Sequence, residues 1–208
     1  MAAEDSIIID TNSVELDFYR NTAYTCGFSG NYTFLVVEPI NNPGAEAPLW
    51  VYLHGGGAGY FDENREYKIG VRPTDGAPRN PNQHNTEKTL ERLRDDQLIY
   101  NTQTNTGQIE NSTLTRRIME GYRILIVSMS DHDLHSGMGT PYLNNPHGGE
   151  VNGLQANMAA IDYTVENYPT THVFAHGTSA GSIGAFTLAY AYNLEGVKLN
   201  GIIMDSHL

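Results

Sequence analysis

The sequence predicts an α/β fold, a mostly parallel sheet with helices on both faces, from three observations. From residue 49 onward, short apolar β-rich runs alternate with segments of helical periodicity, the pattern of a parallel sheet with crossover helices. Three glycine- or histidine-rich stretches each follow a predicted strand, where open α/β sheets place their sites. The 208 residues, 39% of them hydrophobic, suffice for one domain spanning 1–208 with a sizeable core.

The elements follow in order. "SVELDFYR" and "YTFLVVEPI" are rich in β-branched and aromatic residues and read as strands. "NNPGAEAP" is a turn, and "LWVYLH" is a short strand that breaks at three glycines. Residues 62–85 are polar, with several Pro and Asn, and read as a long surface excursion. "TEKTLERLRDDQLIY" carries helical spacing at Leu90, Leu93 and Leu98, and "STLTRRIMEGY" is a second helix ending near Gly121. "RILIVSMS" is a buried strand, and residues 131–149 form a loop rich in Gly and His. Val151, Leu154, Met158, Ile161 and Val165 share one face of the next helix, which Pro169 closes. "THVFAH" is a strand, "SIGAFTLAYAY" a helix, and "LNGIIMDS" a sixth and last strand.

Composition narrows the function classes. Asp and Glu outnumber Lys and Arg by 24 to 12, and a net charge of −12 repels nucleic acid and anionic membranes. Its simplest consequence is solubility. No apolar run approaches the ~20 residues of a membrane span. The start, "MAAEDSIIID", lacks a basic region followed by an apolar one, so no signal peptide is expected. That leaves localisation open between the cytoplasm and secretion with a leader removed. Cys26 is the single cysteine, which excludes an intrachain disulfide.

The chemistry centres on "HGTSAGSIGA". Gly177-Thr178-Ser179-Ala180-Gly181 lies between a predicted strand and a predicted helix, the context of a nucleophile elbow. Small residues on either side let strand and helix approach closely, and the helix N-terminus favours the negative charge of acyl transfer. "LHGGGAG" is an independent second signal: glycines after an early strand can present backbone N–H groups to an oxyanion. Gly56 and Gly57 are the expected donors, with Ala180, the residue after the nucleophile. No cofactor is called for. "DHDLH" could be drawn as a metal cluster of Asp131, His132, Asp133 and His135, but adjacent loop residues rarely converge, so no metal is expected. Asp133 and His135 are instead expected to form the site rim or to hold the loop by hydrogen bonds. His176 is expected to point away from Ser179, and His54 to fix its loop rather than act as a base.

Taken together, "LHGGGAGYFD", "SDHDLHSG", "NGLQANMAAIDY", "HGTSAGSIGA" and "IIMDSH" occur in the order seen in the pectin acetylesterase family, which includes the Notum-type carboxylesterases. The chain resembles that family over roughly residues 48–208. The resemblance implies an α/β-hydrolase fold and removal of acyl groups, acetyl above all, from hydroxyls, as of a polysaccharide. It implies Ser179 as nucleophile, Gly56, Gly57 and Ala180 as oxyanion donors, and Asp133 in a loop lining the site. The chain departs from the family at His54, where plant and animal members usually have Glu, and at Ala58 and Gly59, where they tend to have Trp or Cys.

In α/β-hydrolases the triad runs Ser, then Asp or Glu, then His. Only 29 residues follow Ser179, enough for one helix and one strand. The sheet is therefore expected to be truncated after its sixth strand. Either the chain is the N-terminal part of a longer hydrolase, or a second polypeptide or second copy completes it. The terminal "MDSHL" matches the family's mid-fold strand, so Asp205 and His207 are acid and base candidates only if the chain completes its own site. Two readings follow: a serine carboxylesterase acting on a small ester or an acylated carbohydrate, or a non-catalytic binding or assembly module that keeps the turn as scaffold.

Overall fold

The computed structural model describes residues 9–10, 13–25, 30–70, 77–78, 87–98, 108–109, 112–129, 131–146 and 148–205. Its centre is a six-stranded sheet of β1 (Leu16–Thr25), β2 (Asn31–Val37), β3 (Ala47–Leu53), β4 (Arg123–Val127), β5 (Thr170–Thr178) and β6 (Gly201–Asp205). The spatial order is β6-β5-β3-β4-β2-β1. Strands β3 to β6 are mutually parallel, while β2 runs antiparallel to β4 and β1 antiparallel to β2. Among the described residues four helices accompany it: α1 (Leu90–Gln97), α2 (Ser112–Met119), α3 (Gly153–Asn167) and α4 (Ala180–Leu194).

The two-residue period of the strands divides the core into two layers. Phe34, Val36, Leu49, Val51, Leu53, Leu125 and Val127 face α3 and α4, where they meet Leu154, Ile161, Ala185 and Leu188. The alternate residues Leu35, Val37, Trp50, Tyr52, Ile124 and Ile126 meet Leu93, Leu98, Leu114 and Ile118 around α1 and α2. Helices on both faces explain why these strands read as unbroken apolar runs. Each fully buried side chain of this kind contributes ~1.5–3 kcal/mol.

The far end of the sheet is pinned by a buried ion pair. Arg123, with no exposed surface, donates from Nε and Nη2 to Glu38 Oε2 at 3.1 and 3.0 Å. Its remaining donors reach the carbonyls of Pro169 and Ala45, both at 2.9 Å. One side chain thus joins the start of β4, the loop before β3 and the turn between α3 and β5.

Two expectations differ from the structure. Within the 62–85 excursion, Tyr67–Gly70 and Ala77–Pro78 are strands that join Ala58–Phe61 in a small antiparallel sheet. Its first turn is closed by Asp62, whose Oδ1 accepts from the N–H of Asn64 and Glu66, a local contact that hydropathy does not register. The helical face also shifts. Val151 lies before α3, bridged to Thr140, and Val165 is 42% exposed. Thr164 takes the buried position because its hydroxyl donates to Ala160 O at 2.7 Å and so needs no water.

No helix among the described residues is long and apolar enough to cross a membrane. The outer side of α4 is nonetheless apolar: Ile183, Phe186, Tyr190 and Leu194 form an exposed stripe beside Ile202, Ile203 and Met204 of the edge strand β6. A strand at the edge of the described sheet, flanked by apolar surface, favours association. The chain is expected to sediment as species heavier than its 23.0 kDa monomer, and Phe186→Glu with Tyr190→Glu to shift it toward monomer without lowering its urea midpoint. A chain that is monomeric at every concentration before substitution contradicts this.

Candidate active site

All three stretches singled out in the sequence leave the carboxyl ends of neighbouring strands. His54–Gly57 follows β3, the Asp131–Ser136 loop lies beyond β4, and Ser179 follows β5. Their contact is a consequence of the strand order.

Ser179 occupies the turn between β5 and α4 with φ 53° and ψ −118°. A β-carbon makes that region costly, of order 1–3 kcal/mol, and such strain persists only where the surroundings impose it. Here they do so from three sides. The Ser179 N–H donates to Asp205 O of β6 at 2.8 Å, and its carbonyl accepts from Ser182 N–H at 2.9 Å. The Ser182 hydroxyl donates to Gly177 O at 2.9 Å. The flanking glycines are a steric necessity. A Cβ on Gly177 would lie 1.9 Å from Gly181 O, and one on Gly181 would lie 1.9 Å from Leu53 O. Ala180 begins α4, where first-turn N–H groups have no partner within the helix.

The glycine loop packs directly on this turn. A Cβ on Gly55 would sit 3.0 Å from Ser179 Cβ and 3.6 Å from its Oγ. Gly57 has φ +74°, and a Cβ on Gly56 would lie 2.7 Å from Met129 Cε and 3.3 Å from the His132 ring. Among the described residues, no acceptor takes up the N–H of Gly55, Gly56, Gly57 or Ala180. The loop therefore offers unsatisfied donors beside a strained serine, an arrangement able to stabilise a developing oxyanion.

The Asp131–Ser136 loop supports the glycines from below. His132, Leu134 and His135 all have φ between 52° and 60°, a dense run of left-handed residues. Asp133 holds this conformation: its carboxylate accepts from the N–H of His135 at 3.0 Å, and of Gly137 and Gly153 at 2.8 Å. Burial pushes the Asp133 carboxyl above its ordinary range, and those three N–H bonds oppose the shift. Asp131 accepts from Tyr32 Oη at 2.5 Å. Its carbonyl accepts from the Tyr142 hydroxyl.

His135 corrects the expectation of a rim residue: it has no exposed surface and lies between the glycine loop and α4, against Gly184. It holds its loop by hydrogen bonds, the other role considered. Asp133 does reach a cavity of about 510 Å³, which Gly59, His132, Met138 and Tyr142 also line and Ser179 does not. Among the described residues, no cluster of His, Cys, Asp or Glu is placed to hold a metal.

The other histidines are distributed as follows. His54 is buried, accepts from Met129 N–H at Nε2 (3.3 Å) and approaches Gly55 O at 2.6 Å through Nδ1, as a loop-fixing residue would. His176 packs between Trp50 and Tyr52, on the α1–α2 side of the sheet, and so points away from α4. His172 stacks on Phe174 at the opposite end of β5. Asp205 pairs in register with Thr178, which sets its backbone beside the serine turn. His207 lies outside the described residues, as do His84 and His147. Among the described residues, no side chain hydrogen-bonds Ser179 Oγ.

Asn157 went unnoticed in the sequence. It is 1% exposed on α3 and its amide lies 3.2 Å from His135 Nδ1. Its signal was present: a polar residue between Leu154 and Ile161 on a buried stripe implies a buried partner.

Two outcomes follow. Glycine relieves a positive φ at no steric cost, so Ser179→Gly is expected to be more stable than Ser179→Ala by about 1 kcal/mol, read from urea midpoints; equal midpoints contradict the strain. Burial lowers the His54 pKa to about 3 and the His135 pKa to about 4, from 6.5 in the unfolded chain. The unfolded chain therefore binds protons that the fold refuses as pH falls below 6.5. The stability present above pH 6.5 is expected to decline from there toward pH 4, by up to about 1.4 kcal/mol per pH unit per histidine. His176, also lowered by burial, acts in the same direction, and Asp133 in the opposite one. Urea midpoints that stay flat over this interval would show that the rings accept protons in the fold.

No family model matches the chain, and no curated protein matches it in sequence. The chain is similar to solved structures of three esterases. They are brefeldin A esterase, described as a bacterial homologue of human hormone sensitive lipase (16% identity, TM-score 0.48, 91% of this chain and 39% of that one), a bacterial heroin esterase (16%, 0.46, 92% and 43%), and a highly thermostable carboxyl esterase from Bacillus coagulans (14%, 0.45, 90% and 43%). The chain spans about two fifths of the length of each.

Proposed function

We propose that the chain carries the nucleophile elbow and oxyanion hole of an α/β-hydrolase serine carboxylesterase. The observation that supports this most is the backbone of Ser179, held at φ 53° between a parallel strand and a helix N-terminus with the glycine loop packed against it. Strain of this kind serves no packing purpose that a glycine would not serve better.

In this reading Ser179 Oγ attacks the ester carbonyl carbon as a histidine base removes its proton. The tetrahedral oxyanion accepts N–H bonds from Gly56, Gly57 and Ala180, each worth ~3 kcal/mol in the transition state. Collapse expels the alcohol, protonated by the same histidine, and water then releases the acid from the acyl-enzyme. The substrate class is a small ester or an acylated hydroxyl, acetyl by preference, as on a carbohydrate. Asp205 and His207 are the acid and base candidates within this sequence; the other sources are the remainder of a longer hydrolase of which this chain is the N-terminal part, or a second polypeptide on the α4–β6 face.

A second reading is favoured by the lack of any described hydrogen-bond partner for Ser179 Oγ: a binding or assembly module that retains the turn as scaffold. A fluorophosphonate separates the two, because it phosphonylates only an activated serine. The esterase reading expects covalent labelling and hydrolysis of p-nitrophenyl acetate, both abolished in Ser179→Ala. Intact protein that neither labels nor hydrolyses favours the scaffold, and unchanged turnover in Ser179→Ala removes Ser179 from the reaction.

A further inference from the structure

Three histidine rings hold three successive peptide carbonyls of the glycine loop. His135 Nε2 lies 3.0 Å from His54 O, His54 Nδ1 lies 2.6 Å from Gly55 O, and His132 Nδ1 lies 3.0 Å from Gly56 O. A carbonyl oxygen only accepts, so each of these ring nitrogens carries the hydrogen. The second nitrogen of two rings agrees. His135 Nδ1 faces the Asn157 amide nitrogen, a donor, at 3.2 Å, and His54 Nε2 accepts from Met129 N–H at 3.3 Å. Each of those two rings is therefore a single neutral tautomer with both nitrogens engaged.

In a trans peptide the C=O of one residue and the N–H of the next point in opposite directions. Drawing the His54, Gly55 and Gly56 carbonyls onto imidazoles turns the N–H groups of Gly55, Gly56 and Gly57 away from them. These are the N–H groups for which the described residues supply no acceptor. We propose that His54, His132 and His135 are positioning residues that orient the backbone donors of the oxyanion site, with Asn157 setting the tautomer of His135. The inference deepens the esterase reading and rests on it for its kinetic consequence. It gives the "DHDLH" stretch a function that is neither metal binding nor base catalysis: Asp133 fixes the loop so that two rings meet two carbonyls.

Side-chain amides distinguish this role from packing. The amide nitrogen of Asn can stand where His Nδ1 stands, and that of Gln where Nε2 stands. His132→Asn and His135→Gln keep the required donor, whereas His132→Gln and His135→Asn misplace it. Fluorophosphonate labelling and p-nitrophenyl acetate hydrolysis are expected to fall roughly 100-fold in the misplaced pair, in kcat with little change in KM. The matched pair is expected to retain most of the rate. A packing role ranks Gln above Asn at both positions, and that ranking overturns the proposal.

Histidine ring 15N spectra of the unsubstituted chain give a readout independent of activity and of variant folding. Nδ1–H on His54 and His132 with Nε2–H on His135 supports the arrangement, and any other tautomer set overturns it. If the chain neither labels nor hydrolyses while the rings show these tautomers, the esterase reading fails and the carbonyl clamp stands.

Discussion

The Asp133 carboxylate receives three backbone N–H groups, two from its own loop and one from the start of α3. Charge-assisted bonds of this kind are about twice as strong as neutral ones, and here they offset the cost of three left-handed residues, His132, Leu134 and His135, around Asp133. Without the carboxylate, His132 and His135 lose the contact that shapes their loop and keep the Gly59 N–H bond to His132 O and the Asn157 contact of His135. The glycine loop in turn rests on those rings, and Ser179 rests on the glycine loop. A buried carboxylate with no part in bond making therefore shapes the loop on which the glycines rest.

The site is built from backbone more than from side chains. The N–H groups that find no acceptor among the described residues belong to glycines and to a helix N-terminus, and the strained residue is held by carbonyls and amides of β6 and α4. Such groups cannot swing away as a side chain can, so little reorganisation is needed when charge develops. The same economy explains the contacts of 1.9 Å that a Cβ would make at Gly177 and Gly181. Strand, turn and helix are stacked at backbone distance, and no other residue type fits between them.

Charge burial at the two ends of the sheet contrasts in kind. At the far end Arg123 and Glu38 form a paired, hydrogen-bonded cluster that ties three loops together. At the site end the buried polar groups include the His54 and His135 imidazoles, the Asp133 carboxylate held by backbone amides and the Asp131 carboxylate held by the Tyr32 hydroxyl. Breaking the first leaves an uncompensated charge and threatens the fold. Disturbing the second changes which way a peptide plane faces, a smaller energy with a direct consequence for chemistry.

The order of elements, the two-faced strands and the serine turn were legible before any coordinates, because periods of 2 and 3.6 and the steric demand for glycine are local properties. Ser179 and the glycines that flank it could be read from ten residues. The role of "DHDLH" could not, since its meaning depends on β4 lying beside β3, a consequence of strand order rather than of any neighbouring residue. Within that stretch, His135 hides a ring that sequence reasoning expected near the rim. Asn157 was readable only as a polar exception on an apolar stripe, and its partner is 22 residues away along the chain. Long-range hydrogen bonds leave no periodic trace in a sequence. Packing decided which carbonyl each imidazole meets, and with it the direction of every donor in the loop.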